Sequence, residues 1–316
     1  MLIRTLLAVM LFTIFGCKKE VAPTTYSETL EKSIAPEKKS EKKAAETLSK
    51  EFKDYWYSGT ADVTSYELEQ ARYGESRKGN AVLVFVTEPF HSEKQVKADH
   101  RHPDNISVMK LNTTKKFTTG VYPYSIMTST FYPVSNNQHA LKITNSVQEW
   151  CGQVFSQLNN KEQFEVQSFS YFESESDQKF NLDKALLENE LLTQLRINPE
   201  NLPEGELEII PDFSYLRLRH KELKTYKANV SNLPGNNYNV YTITYPELKR
   251  TLTIQYLAGF PYNIESITET YSSGFGKRAQ EMSTTLKKKK TLNIPYWNKN
   301  KNVDQKLRTE LGLSND

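Results

Sequence analysis

The chain has few of the residues that common catalytic and metal sites require. Two cysteines in 316 residues are too few for a disulfide framework or a four-thiolate zinc site. Twelve glycines supply few phosphate-binding loops, and no G-x-S-x-G, phosphate-loop or H-E-x-x-H pattern occurs. We therefore assign no catalytic residue, no metal and no cofactor from the sequence.

Most of the chain also lacks an excess of one charge. The formal net charge is +3, Arg4 is the only charged residue in 1–17, and 18–50 holds eight lysines against six glutamates. Residues 51–316 are therefore neutral. Because nucleic-acid binding depends on neutralising phosphates, this composition argues against nucleic acid as a partner.

The N-terminus has the layout of a signal peptide over 1–16, with Arg4 followed by an apolar run that is too short to span a bilayer. The segment Ile14-Phe15-Gly16-Cys17 resembles the bacterial lipobox. That resemblance implies cleavage before Cys17 and a diacylglycerol on its thiol. The expected location is the cell envelope, anchored by lipid to the outer membrane on the periplasmic or surface leaflet. A plain signal peptide followed by a chance cysteine is the alternative.

Residues 17–50 are predicted to form a flexible, lipid-anchored tether. They are rich in Lys, Glu, Ala, Ser and Thr and contain almost no large apolar side chain after the cysteine. Such a segment buries too little surface to offset the entropy lost on ordering.

Residues 51–316 are predicted to form a single β-rich domain; a division near 202–205 is the alternative. Runs of β-branched and aromatic residues alternate with polar ones, as in Leu252, Ile254 and Tyr256. Short spacing between the runs favours an antiparallel curved sheet or partial barrel. The predicted strands are 61–68, 81–87, 106–111, 122–132, 140–144, 153–158, 164–172, 206–210, 238–245, 251–257 and 264–271.

Two helices are expected beside the sheet. Residues 181–197 place leucines at helical spacing, with Asn181 as N-cap and Asn198-Pro199 as the end. A helix that covers the core is the favoured interpretation, and a lid or partner-binding helix is the alternative. A short C-terminal helix is predicted over 303–313, after the four lysines 287–290, which we place on an edge strand or loop.

Several polar clusters are candidates for chemistry, each with a plainer explanation. His100 and His102 lie two residues apart, but no third metal ligand is identifiable and a polar loop fits better. Cys151 is interpreted as a small buried hydrophobe rather than a nucleophile.

Charged residues concentrate in three further places in the sequence. The acids Glu173, Glu175 and Asp177 alternate with serines, as in a solvated turn. Two other charged groups are Arg217, Arg219 and His220, and Glu67, Arg72 and Tyr73. Surface pairing is the expected role of both groups, and lining a pocket is the alternative.

Four segments carry a family resemblance: 65–74, 120–125, 148–152 and 195–199. Together they resemble uncharacterised lipoproteins of Flavobacteria and relatives, many of them labelled septum formation inhibitor Maf. True Maf proteins are nucleotide pyrophosphatases with an N-terminal phosphate motif bearing serine and arginine, and this sequence lacks that motif. The resemblance therefore implies an envelope lipoprotein and not that enzymatic activity.

The expected fold resembles, by analogy, the half-barrel of LolA-like envelope proteins, which hold acyl chains against a concave sheet. The leading hypothesis is a non-enzymatic lipoprotein, anchored to the membrane, that binds a hydrophobic ligand or another envelope protein. The alternative is an envelope hydrolase that uses Cys151 or the carboxylate cluster around Glu173. It requires one of these groups to lie in a cleft beside a histidine.

Overall fold

A computed structural model describes residues 48–100, 102–135, 138–274 and 276–313, and 55% of it is strand against 16% helix. Sixteen strands in this part of the chain belong to one sheet. They are β1 (Ala61–Arg72), β2 (Glu75–His91), β3 (Val96–Lys97), β4 (Asn105–Thr119), β5 (Tyr122–Pro133), β6 (Lys142–Glu149), β7 (Gly152–Asn160), β8 (Phe164–Ser170), β9 (Gln178–Leu182), β10 (Leu186–Leu187), β11 (Gly205–Ile210), β12 (Tyr226–Leu233), β13 (Tyr238–Tyr245), β14 (Arg250–Leu257), β15 (Ile264–Ser273) and β16 (Gln280–Ile294).

In the described part of the chain, four short α-helices accompany the sheet: α1 (Lys50–Trp56), α2 (Glu188–Ile197), α3 (Phe213–Leu218) and α4 (Lys306–Glu310). Short 3₁₀ segments occupy Pro199–Asn201, Gly276–Arg278, Tyr296–Asn298 and Asn302–Gln305. The prediction of a mainly β protein with a large, curved antiparallel sheet is confirmed.

Neighbouring strands in the sheet are mostly hairpin partners, in the order β10-β11-β12-β13-β14-β15-β16-β1-β2-β4-β5-β6-β7-β8-β9, with β3 paired to β2. All pairs are antiparallel except β10 with β11. The sheet is open, with β9 and β10 at its two edges, and residues 183–185 connect them. Because a chain spans at most about 3.5 Å per residue, the two edges lie within about 14 Å of each other at this connection.

The two faces of the sheet differ in polarity. In β14, Leu252, Ile254 and Tyr256 are buried while the residues between them are half-exposed, as the alternation predicts. The buried residues form the inner face, which packs against α1, α2 and α3 in one large core. Their burial supplies the main driving force for folding.

Helix α2 is shorter than predicted. Asn181 does not cap a helix but pairs with Glu165 in the β8–β9 ladder, and the helix begins only at Glu188. The backbone N–H of Leu187 donates to the Glu190 carboxylate at 3.3 Å, which satisfies one of the free donors at the helix start. The predicted end at Asn198 is confirmed.

The C-terminal segment covers part of the outer face. The predicted helix over 303–313 is present as the 3₁₀ turn Asn302–Gln305 followed by α4. Leu311 and Leu313 then pack against Val63, and Ser65 Oγ donates to the Leu311 carbonyl at 2.5 Å. This contact buries a part of the outer face that hairpin pairing alone would leave in water.

The four lysines do not lie at an edge or in a loop. Lys287–290 belong to β16, which lies between β15 and β1 inside the sheet, so that placement was wrong. Lys288 Nζ contacts Glu265 at 2.6 Å on β15, and Lys289 donates to the Gly312 carbonyl at 2.9 Å. Partners on neighbouring elements thus allow charged side chains on an interior strand.

Candidate functional site

A small cavity lies between α2 and the inner face of the sheet, with a volume of about 80 Å³. Its apolar lining is Leu83, Leu111, Ile126, Leu192, Leu252, Ile254, Ile267 and Leu286. Its polar lining includes Lys115, Glu188, Asn189, Asp212, Arg250 and Glu269. Ligand pockets usually measure about 300–1,000 Å³, so a ligand could enter here only if α2 moved away.

The N-terminal end of α2 is bound to the sheet by a buried arginine. Arg250 Nη1 and Nη2 donate to the two Glu188 oxygens at 2.5 and 2.6 Å, and Arg250 Nε donates to Glu269 at 2.6 Å. The Tyr245 hydroxyl also donates to Glu188, at 2.7 Å. The adjacent carboxylates hold the pKa of Arg250 well above its usual range, despite complete burial.

The C-terminal end of α2 has a second buried ion pair. Arg196 Nη2 contacts Asp62 at 2.5 Å, and the Trp56 and Phe85 rings flank the guanidinium at 4.8 and 4.7 Å from their centroids. Tyr55 donates to the same carboxylate at 2.7 Å, and burial together with this carboxylate raises the pKa of its phenol. Two buried ion pairs therefore favour a covering helix over a mobile lid.

A second and larger cavity lies along the β9 edge, and we call it the α3 groove. Its volume is about 570 Å³, within the range of small-molecule sites. The inner sides of β7, β8 and β9 form one wall, and α3 with residues 220–224 forms the other. Its apolar lining is Val154, Phe180, Leu182, Phe213, Leu216 and Leu223.

Polar groups of the α3 groove are mostly hydroxyls and cations. Ser156 and Ser168 lie 2.8 Å apart between their hydroxyl oxygens on the sheet wall. Arg217, Lys221, Lys224 and the Glu222 carboxylate line the other wall, and the Glu175 carboxylate enters the groove from the segment between β8 and β9. With three cations and two carboxylates, the groove combines an apolar lining with a net positive charge.

Glu175 joins the two walls of the groove. Its Oε1 accepts from Arg217 Nη1 at 3.0 Å and lies 2.9 Å from His220 Nδ1, which donates to it when that nitrogen carries the proton. Arg217 Nη1 and His220 Nδ1 lie 3.2 Å apart. Ser170 Oγ donates to the other carboxylate oxygen at 2.8 Å. Glu175 is therefore not merely a solvated turn residue, although Glu173 beside it is exposed.

Arg217 is only partly satisfied in this position. Its side chain is 11% exposed, and its Nε is buried without a hydrogen-bond partner among the described residues. The Phe172 ring lies 4.7 Å below the guanidinium. Burial lowers the pKa of Arg217, and Glu175 partly offsets this effect.

Behind the groove, Arg72 fixes the end of α3. It is buried and donates to the Leu218 carbonyl at the C-terminus of the helix, and to the Tyr124 hydroxyl at 3.2 Å. A cation is favourable there because the last carbonyls of a helix carry partial negative charge. The expectation of surface pairing was wrong for Arg72, while Glu67 remains exposed and Arg219 lies over the Tyr271 ring.

Cys151 is not a buried hydrophobe, so that interpretation was wrong. It lies exposed in the turn between β6 and β7, where its backbone N–H donates to Glu149 at 2.7 Å. The same carboxylate raises the pKa of the thiol, which disfavours the nucleophilic thiolate. Tyr171 packs over the next residue, Gly152, where an added Cβ would lie 2.8 Å from the ring.

The remaining candidates are spread over the molecule. His100 and His102 are exposed in the loop before β4, with His102 Nδ1 at 3.3 Å from Asp104. Within the described ranges, no group of three or more His, Cys, Asp or Glu residues could hold a metal ion. Among these same residues, no helix is long and apolar enough to cross a membrane. Cys17 and the predicted signal peptide and tether lie outside the described residues, apart from the last three positions of the tether.

Sequence reasoning missed the buried network of Arg250, Glu188 and Glu269. The only signal was a charged residue at an inward position of an alternating strand, since Arg250 has the same parity as Leu252 and Ile254. It also missed the groove, because β7–β9 and α3 are brought together only by the curvature of the sheet.

No family model, no curated protein and no solved structure matches this chain.

Proposed function

We propose that this protein is a lipid-anchored protein of the cell envelope that binds an amphipathic small molecule in the α3 groove. The observation that carries the proposal is the groove itself, about 570 Å³ in volume with an apolar lining and a cationic wall. An apolar body with an anionic group complements both features. The cavity under α2 is a poorer site because it measures about 80 Å³ and its covering helix is bound at both ends.

The anchor is proposed on the lipobox resemblance at Cys17. Each buried methylene of an acyl chain contributes about 0.8 kcal/mol, so that a single chain binds a membrane only weakly and reversibly. Stable anchoring by lipid alone therefore requires more than one acyl chain. Growth with an alkynyl fatty acid is expected to label the protein, and Cys17→Ala is expected to remove the label. Cys151→Ala is the matched control and should keep it. Equal labelling of both variants would contradict the anchor.

Ligand binding is testable on the full chain in isolated membranes with a photoactivatable medium-chain fatty acid. Ser168→Trp places a large ring in the groove and is expected to abolish labelling of the folded region. Gln167→Trp adds the same ring on the opposite face of β8, where successive side chains alternate, and should leave labelling unchanged. Equal labelling of the two variants would refute binding in the groove.

An envelope hydrolase is the second candidate, since Glu175 contacts His220 in the groove as that hypothesis requires. Hydrolysis also needs a nucleophile, which is either a side chain or a water molecule that the base activates. Ser170 Oγ donates to the carboxylate rather than to the histidine, and Glu149 raises the pKa of the Cys151 thiol. Turnover of an ester probe that is lost in His220→Gln would favour this candidate over simple binding.

A further inference from the structure

The centre of the α3 groove is an arginine and a histidine that share one carboxylate. Arg217 Nη1 and His220 Nδ1 lie 3.0 and 2.9 Å from the same oxygen of Glu175. Two donors that converge on one oxygen are a typical arrangement for binding an anion. In this structure the anion belongs to the protein itself.

The carboxylate and the two donors come from different elements. Arg217 lies on α3 and His220 follows it, whereas Glu175 belongs to residues 171–177 between β8 and β9. Glu175 is 23% exposed, and its neighbours Ser174 and Ser176 also line the groove. The carboxylate therefore remains partly accessible to solvent while it contacts the two donors.

Arg217 has more donor capacity than Glu175 uses. Its Nε has no hydrogen-bond partner among the described residues, even though it is buried and the side chain is only 11% exposed. A guanidinium offers five N–H donors in a planar fork that suits two carboxylate oxygens. Glu175 engages it through Oε1 alone, since Oε2 accepts from Ser170.

We propose that Arg217 and His220 form the recognition site for a carboxylate of the ligand, and that Glu175 occupies this site when no ligand is bound. This inference rests on the proposed function of the groove. Exchanging one carboxylate for another keeps the charge beside the buried guanidinium constant, so that the exchange leaves no unpaired buried cation. The displaced Glu175 side chain would turn to solvent, and the ligand's apolar part would lie on the groove lining.

The proposal predicts opposite effects for the two partners of this ion pair. The probes are a photoactivatable medium-chain fatty acid and its uncharged primary amide, applied to the full chain in isolated membranes. Glu175→Gln removes the competing anion and is expected to lower the half-labelling concentration of the acid about fivefold, with no change for the amide. Arg217→Met is expected to abolish the preference for the acid over the amide.

Glu173→Gln is the matched control because it removes the same charge from the same loop, at an exposed position. It should leave both probes unchanged, which separates competition for the site from a general change in charge. Thermal unfolding of each variant checks that it is folded. Glu175→Gln is the decisive variant for the proposal, because Glu175 is partly exposed and its replacement should leave the fold intact.

The outcomes separate this inference from the proposed function. If acid and amide label the groove equally in wild type and in Glu175→Gln, the groove binds ligands but the carboxylate site is refuted. If Glu173→Gln strengthens acid labelling as much as Glu175→Gln does, displacement of Glu175 is refuted. If neither probe labels the groove in any variant, the proposed function fails as well.

Discussion

Arg250 and Arg217 each pair with a glutamate, but the two pairs have different surroundings. Arg250 is 1% exposed, is held by two carboxylates and joins α2 to the sheet. Arg217 is 11% exposed, shares one carboxylate oxygen with a histidine and borders an open groove. The same residue pair therefore holds a helix in place at Arg250 and borders an open groove at Arg217, where we propose that the anion is exchanged.

The largest difference in stability between the two regions is expected when each arginine is replaced in turn. Arg250→Leu leaves Glu188 and Glu269 buried together without a cation, and should lower the free energy of unfolding by about 3–5 kcal/mol. Arg217→Leu leaves a partly solvated Glu175, and should cost about 1 kcal/mol or less. Urea unfolding of both variants measures the difference, and equal losses would break the comparison.

A smaller contrast is expected from neutralising the glutamates. Glu188→Gln keeps the shape but weakens two charged hydrogen bonds to Arg250, and should cost about 2 kcal/mol. Glu175→Gln, the same change in the groove, should cost under about 1 kcal/mol. The same urea assay compares the two variants. If Glu175→Gln were less stable than Glu188→Gln, the ion pair in the groove would have a structural role.

Gly152→Ala tests the support of the loop that carries Glu175. The new Cβ would meet the Tyr171 ring at 2.8 Å, so we expect a loss of about 1–2 kcal/mol. Replacing Tyr171 by alanine in the same chain should recover most of this loss, since the two residues are in contact. Thermal unfolding of the single and double variants gives the coupling, and strictly additive effects would show that the contact is unimportant.

Ser65→Ala is expected to have a small effect on stability and serves as a reference outside both regions. It removes one hydrogen bond to the Leu311 carbonyl on the outer face, which is worth about 1 kcal/mol. Labelling of the groove by the fatty acid should not change. Reduced labelling would mean that stability alone, rather than the groove residues, controls binding.

Local patterns in the sequence predict much of this fold. Alternation in β14 and the proline after Asn198 are both local signals, and both predictions are confirmed. The interior position of Lys287 depends instead on pairing with Glu67, more than two hundred positions away in the chain. No local pattern reports such a partner.

The candidate site was less predictable than the fold. The sequence offers Glu175 as part of a solvated turn, and Arg217 and His220 as surface residues with a pocket as the alternative. It does not predict their contact, because that contact depends on how far the sheet curves. The exposure of Cys151 depends on a two-residue hairpin turn that a strand-like pattern does not reveal. Apolar neighbours such as Trp150 suggested burial, yet that tryptophan is itself 70% exposed.

The most direct test of the central claim is to map where a photoactivatable fatty acid attaches to the full chain in membranes. We predict labelled peptides from 154–182 and 213–224, which form the two walls of the α3 groove. Labelling confined to α2 and β14 would place the ligand in the cavity under the helix instead. That result, or the absence of label from residues 48–313, would contradict the account.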